Sequence, residues 1–156
     1  MDNETRVVSA TRDIAAPPAT VFELIADPRR QPDWDGNDNL VEVIGGDRIR
    51  VVGETFAMRT TKGKHRDNLV VDFAEGRRIA WRPGNAGEAP AGHEWRWAIE
   101  PLEDGGSRVT HTYDWTELTD EARMPRARAT QEPQLRASLD RLAALAESLT
   151  PLRENP

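Results

Sequence analysis

Residues 93–115 read HEWRWAIEPLEDGGSRVTHTYDW, and both ends of this stretch alternate strictly between ring-bearing or aliphatic residues and charged or hydroxyl ones. In an extended chain Trp95, Trp97 and Ile99 fall on one side, and Glu94, Arg96 and Glu100 on the other. Val109, His111, Tyr113 and Trp115 oppose Thr110, Thr112 and Asp114 in the same way. Between the two halves, Glu103-Asp104-Gly105-Gly106-Ser107 supplies residues that tolerate positive φ, which a short antiparallel connection requires. The alternation therefore predicts a β-hairpin in an antiparallel sheet with one covered and one solvated face.

The covered face is rich in indole and in polar tips: two Trp on one strand, then His, Tyr and a third Trp on the next. A minimal core would use Val, Ile and Leu. Large stiff rings with a polar end either fill a large core or line a concave pocket, where a few hydrogen-bonding groups orient a ligand against an apolar wall.

Outward from the hairpin, the 156 residues fit one domain, 1–156, long enough to bury a substantial core. With no cysteine there is no disulfide framework, thiolate nucleophile or cysteine-based metal site, and the default compartment is the cytoplasm. The opening MDNETRVV lacks a basic segment followed by an apolar one, and no window approaches the ~18 to 20 apolar residues of a membrane span. A net charge of −6, from 21 basic and 27 acidic residues spread along the chain, argues against a groove that tracks phosphates, so nucleic acid is not an expected partner.

Arg6 to Ile14 reads as a first strand. Pro18 then suits the first turn of a short helix carrying Val21, Leu24 and Ile25, which Asp27-Pro28 stops. Asp27 caps a second short helix through Gln31, and Pro32-Asp33-Trp34-Asp35-Gly36 breaks it. A meander follows: Leu40 to Ile44, Arg48 to Met58, Lys64 to Phe73 and Arg77 to Arg82, each bounded by turn residues. Strict alternation in the fourth strand puts His65, Asp67, Leu69, Val71 and Phe73 on the covered face, and Ile79 and Trp81 join them from the fifth. Pro83 to Gly92, PGNAGEAPAG, has no apolar anchor and reads as a mobile loop. Leu135, Leu139, Leu142, Leu145, Ala146 and Leu149 form one stripe of a last helix, which Pro133 either starts or kinks and Pro151 ends. Its apolar stripe needs the covered face of the sheet.

Strand, two short helices, six antiparallel strands and a long last helix resemble the START and birch-pollen-allergen-like superfamily, also called SRPBCC. IAAPPATVFELIADPRRQPDWD at residues 14–35 is similar to its opening signature, and VVDFAEGRRIAWR with HEWRWAIEPLEDGGSRVTHTYDW resembles its polyketide cyclase/dehydrase and lipid-transport branch. The resemblance runs from Arg6 to Leu149. It implies an α+β helix-grip fold, a seven-stranded curled sheet wrapped on the last helix, with a cavity between them. It leaves the reaction open, because cyclases, lipid carriers, hormone receptors and co-chaperones share this scaffold. By connectivity the turns near residues 60–64, 83–92 and 117–124 gather at one end of the sheet and form a natural gate.

The chemistry is sparse. His65, His93 and His111 lack second ligands at zinc spacing, no Gly-x-Ser-x-Gly elbow is present, and no glycine-rich phosphate loop appears, so neither a metal nor a cofactor is expected. The expected ligand-binding residues are Trp81, Trp95, Trp97, His111, Tyr113, Trp115, His65, Asp67, Phe56 and Leu139, with His93 at a wet strand end. The leading reading is a protein that binds a hydrophobic or aromatic small molecule, polyketide- or lipid-like. One alternative is an aromatase/cyclase-type enzyme using His111 and Tyr113 for proton transfer. A protein-interaction module of the co-chaperone or toxin type is the other.

Overall fold

The computed structural model describes residues 5–37 and 39–150. The opening residues read for a targeting segment, and Pro151, lie outside them. Among the described residues, β1 (Val7–Ile14), β2 (Leu40–Gly45), β3 (Thr55–Thr60), β4 (His65–Ala74), β5 (Arg78–Asn85), β6 (Glu94–Pro101) and β7 (Ser107–Asp114) form one unclosed antiparallel sheet. The spatial order is β1-β7-β6-β5-β4-β3-β2. Helices α1 (Pro18–Ala26) and α2 (Gln31–Trp34) follow β1, and α3 (Met124–Ala129) and α4 (Glu132–Leu149) follow β7. This is the α+β helix-grip architecture. Among the described residues, no helix is long and apolar enough to cross a membrane.

The β6–β7 hairpin forms as its alternation dictates, with Trp95 opposite Tyr113, Trp97 opposite His111 and Ile99 opposite Val109. Its turn needs Gly105, whose φ of 89° an L side chain rarely adopts. Helix α4 begins at Glu132 with Pro133 in its first turn and a capping box between Gln131 and Gln134, so the proline starts this helix. Leu135, Leu139 and Leu142 are fully buried, each contributing roughly 2 kcal/mol of apolar burial. The stripe fades at its end, where Leu149 is half exposed.

Three boundaries differ from the sequence reading. Pro32 sits in the first turn of α2, where its missing N–H costs nothing, and Asp27 caps the preceding 3-10 turn by accepting from Arg29 N at 3.1 Å. Residues 48–54 are not strand, because Ile49 N donates to Ala26 O at the end of α1 and the Arg48 guanidinium holds Glu23 and Glu75. β5 continues through Pro83 and Gly84 to Asn85. Pro83 lies past Trp81, the last β5 residue paired with β6, so its missing N–H breaks no ladder on that side.

The fourth difference sets the inner face. In β4, Val70 pairs with Trp81 but Asp72 pairs with Ala80, so Val71 is the extra residue of a bulge. One added residue reverses the alternation on either side of it. Phe73 points inward as expected, meeting Phe22 edge-on at 5.6 Å. Before the bulge, Asn68 and Val70 are the buried residues. His65 and Asp67 therefore stand on the outer face, hydrogen-bonded to each other at 2.9 Å and well exposed.

Candidate functional site

A pocket of about 670 Å³ lies between the inner face of the sheet and the helices α2 and α3 with the first turns of α4. Trp81 on β5, Trp95 and Trp97 on β6, and His111 and Tyr113 on β7 form its aromatic wall. The hairpin register places these rings in contact. His111 stacks on Trp97 with centroids 3.6 Å apart, and Tyr113 lies 4.4 Å from Trp95. Trp34, whose Nε1 donates to Leu24 O at 2.8 Å, braces Trp97 edge-on at 5.1 Å from the α2 side. Met58, Leu118 and Ala127 complete the apolar lining.

The polar groups on this wall are buried. His111 Nδ1 is 3.0 Å from Arg96 O, and because a carbonyl only accepts, Nδ1 carries the proton and Nε2 keeps a lone pair. Burial pushes the His111 imidazole down to about 4, against the raising effect of that hydrogen bond, so the ring is neutral near pH 7. Burial likewise pushes the Tyr113 phenol up to about 12, despite the opposing influence of Arg126 and Arg123. Trp97 Nε1 is shielded and has no hydrogen-bond partner among the described residues.

Five of the ten residues expected from the sequence, Trp81, Trp95, Trp97, His111 and Tyr113, meet in this pocket. The other five do not line it. His65 and Asp67 are on the outer face because of the β4 bulge. Phe56 is buried behind the wall, edge-on to Trp81 at 5.4 Å. Leu139 is enclosed in the core where α4 meets the sheet. Trp115 follows the end of β7, fully buried, with the Arg6 guanidinium 4.6 Å from its ring centroid.

His93 was expected to be wet, and instead lines the pocket with Nδ1 shielded and without a hydrogen-bond partner among the described residues. Its ring meets Tyr113 edge-on at 6.0 Å. Burial, then the charges of Arg123, Arg66 and Arg126, pushes it down to about 4. A signal for this existed: His93 shares the odd-numbered side of its strand with Trp95 and Trp97. Arg66 and Asn68 carried no such signal, since the bulge that turns them inward is not visible in the alternation.

The three connections singled out as a gate converge on the rim, contributing Lys62 and Lys64, Pro83 and Asn85, and Leu118, Asp120 and Arg123. The 83–92 connection is closed at its base, where Ala91 N donates to Pro83 O at 3.0 Å, and held near its tip, where Gly87 N donates to the Asp67 carboxylate at 2.9 Å. Gly92, at φ 120°, lies so close to Glu117 O that a Cβ would stand 2.4 Å from it.

The same architecture recurs in solved structures. A protein from Mesorhizobium loti superposes with a TM-score of 0.69 at 17% identity, covering 94% of this chain and 100% of that one. One from Chromobacterium violaceum gives 0.67 at 19% identity, covering 92% and 99%. At these identities the likeness is one of fold. In sequence, an uncharacterized protein of Mycobacterium tuberculosis is 35% identical over 111 residues, 69% of this chain and 47% of that protein, so the chain spans about half the length of the curated relatives it matches. The profile for polyketide cyclase/dehydrase and lipid transport proteins matches residues 5–147, nearly the whole sheet and helix α4, and the chain belongs to that family.

Proposed function

We propose that the protein binds a hydrophobic or aromatic small molecule, polyketide- or lipid-like, in the pocket between the sheet and its covering helices. The observation that carries this reading is the wall of Trp81, Trp95, Trp97, His111 and Tyr113 around a space of about 670 Å³, large enough for a multi-ring or acyl ligand. His111 Nε2 can accept, and Trp97 and Tyr113 bring donors to the same wall, a set suited to clamping a carbonyl or hydroxyl on an otherwise apolar body.

The two titrating groups favour recognition over proton transfer. General acid–base catalysis works best with a pKa near the operating pH. Burial moves His111 down to about 4 and Tyr113 up to about 12, both away from neutrality. An open pocket also weighs against the interaction-module reading, which calls for a collapsed interior.

The test begins with native mass spectrometry of the purified protein to identify what it carries. His111→Leu and Tyr113→Phe are then titrated against that molecule. Each removes one buried polar contact, costing about 1 to 3 kcal/mol or roughly tenfold in affinity. Parental affinity in both variants, with binding lost in His93→Leu, would move the polar recognition from His111 and Tyr113 to His93.

A further inference from the structure

The rim of the pocket is charged in a way the rest of the protein is not. Lys62, Lys64, Arg66, Arg123 and Arg126 all line it, in a chain whose net charge is −6. On the outer face of the sheet, arginines are neutralised: Arg78 and Arg96 by Asp72, and Arg82 by Glu94 and Glu117. At the rim they mostly meet neutral amides. Arg66 and Arg123 both donate to the single Asn85 Oδ1, at 2.6 and 2.7 Å, and Arg126 donates to Asn39 Oδ1 at 2.8 Å.

Among the described residues, the acidic groups nearby offset only part of this charge. Asp120 pairs with Arg123 at 3.3 Å and also caps Ala122 N. Asp35 is buried and accepts from the backbone N–H groups of Asn37, Asn39 and Leu40. Arg66 and Arg126 have no carboxylate partner among the described residues. Arg66 is half-buried, and its guanidinium is held below the ordinary arginine range by burial and by the neighbouring charges of Arg123 and Arg126. Like charges gathered at a partly dry site are costly unless an anion joins them.

We propose that the ligand is an anionic amphiphile: a ring-bearing apolar body seated against Trp81, Trp95 and Trp97, with an acidic head group of the carboxylate class held at the rim by Arg66, Arg123 and Arg126. This rests on the binding reading above and adds the ligand's charge and direction of entry. Guanidinium forks suit a carboxylate because two N–H groups reach its two oxygens at once. The apolar end enters first, toward Trp97 and Trp34, and the head stays where the three connections meet.

Pyrenebutanoate and pyrenebutanol test this, since they share one ring system and chain and differ in the terminal acid. Binding of either is read from quenching of the tryptophan emission. The acid is expected to bind at least about tenfold more tightly than the alcohol at low salt, the worth of a charge-assisted contact. In about 0.5 M salt, where screening acts within a few ångströms, that preference shrinks. Arg66→Gln and Arg126→Gln together are expected to bring the acid down to the alcohol's affinity and leave the alcohol unchanged, with near-UV circular dichroism confirming the fold. Arg126→Gln alone, at an exposed position, serves if the double variant does not fold. Equal affinities for acid and alcohol, or variants that weaken both alike, overturn the anionic head and leave the apolar pocket standing. Failure of both probes to bind overturns the pocket reading itself.

Discussion

His111 and His93 show what burial does to a titrating ring. Both are pushed from the ordinary 6.5 to about 4, first by loss of water and, for His93, then by the charges of Arg123, Arg66 and Arg126. Between those two values the unfolded chain takes up protons that the folded chain refuses, so stability rises with pH across this window and falls as acid is added. Each ring accounts for on the order of 3 kcal/mol by pH 4. Urea unfolding is expected to show a midpoint that declines steadily from pH 7 to 4.5. His93→Asn should flatten that slope by about half, and a slope unchanged by the substitution would show that His93 is hydrated. Glu75 and Asp13, held low by Arg48 and Arg108, act only at more acid pH.

In β4, one residue decides which side chains the pocket receives. Val71 occupies the bulge, turning Asn68 and Val70 inward on one side of it and Phe73 inward on the other. Deleting Val71 leaves Val70 and Asp72 adjacent and still opposite Trp81 and Ala80, so both halves of the strand keep their inward side chains, and the deletion is expected to cost only about 1 kcal/mol. A loss of about 3 kcal/mol or more in guanidinium titration would mean that the faces were reset and that Val71 is not the extra residue. The joint between α2 and α4 is equally local. A Cβ on Gly36 would stand 2.3 Å from the Ala137 carbonyl carbon, while Gly36 N donates to Ser138 Oγ at 3.1 Å. Gly36→Ala is therefore expected to push the start of α4 away and destabilise by about 1 to 3 kcal/mol, measurable as a lowered Tm.

The helices and the open sheet together leave one rim, and the 83–92 connection is part of it. Its composition alone suggests free motion, yet the structure ties Ala91 N to Pro83 O and Gly87 N to Asp67. Amide exchange followed by NMR should therefore be uneven, slow at Ala91 and fast at the tip residues Ala86 and Ala89. Uniformly fast exchange from residue 84 to 92 would mean that the rim opens as one piece. A Cβ on Gly92 would collide with Glu117 O, so Gly92→Ala is expected to shift the neighbouring connection and alter access to the pocket more than it alters overall stability.

The order of the seven strands, of α1, α2 and α4, the hairpin and its inward rings, and the apolar stripe of α4 were legible in the sequence, whereas the separate helix α3 was not. These features depend on local alternation and turn chemistry, which a chain carries residue by residue. So was the aromatic wall of the pocket, because Trp81, Trp95, Trp97, His111 and Tyr113 sit on strand segments whose alternation is uninterrupted. His93 was equally readable by the same rule. What only the tertiary structure decided were features set by pairing between distant segments. The β4 bulge exists as a mismatch with β5, so it exchanged His65 and Asp67 for Arg66 and Asn68. The pocket lies near α2 and the start of α4 because the middle of α4 already fills the core with Leu139 and Leu142. The basic rim draws Arg66, Arg123 and Arg126 from two separate segments, and no local pattern brings them together; the closing of the chain does.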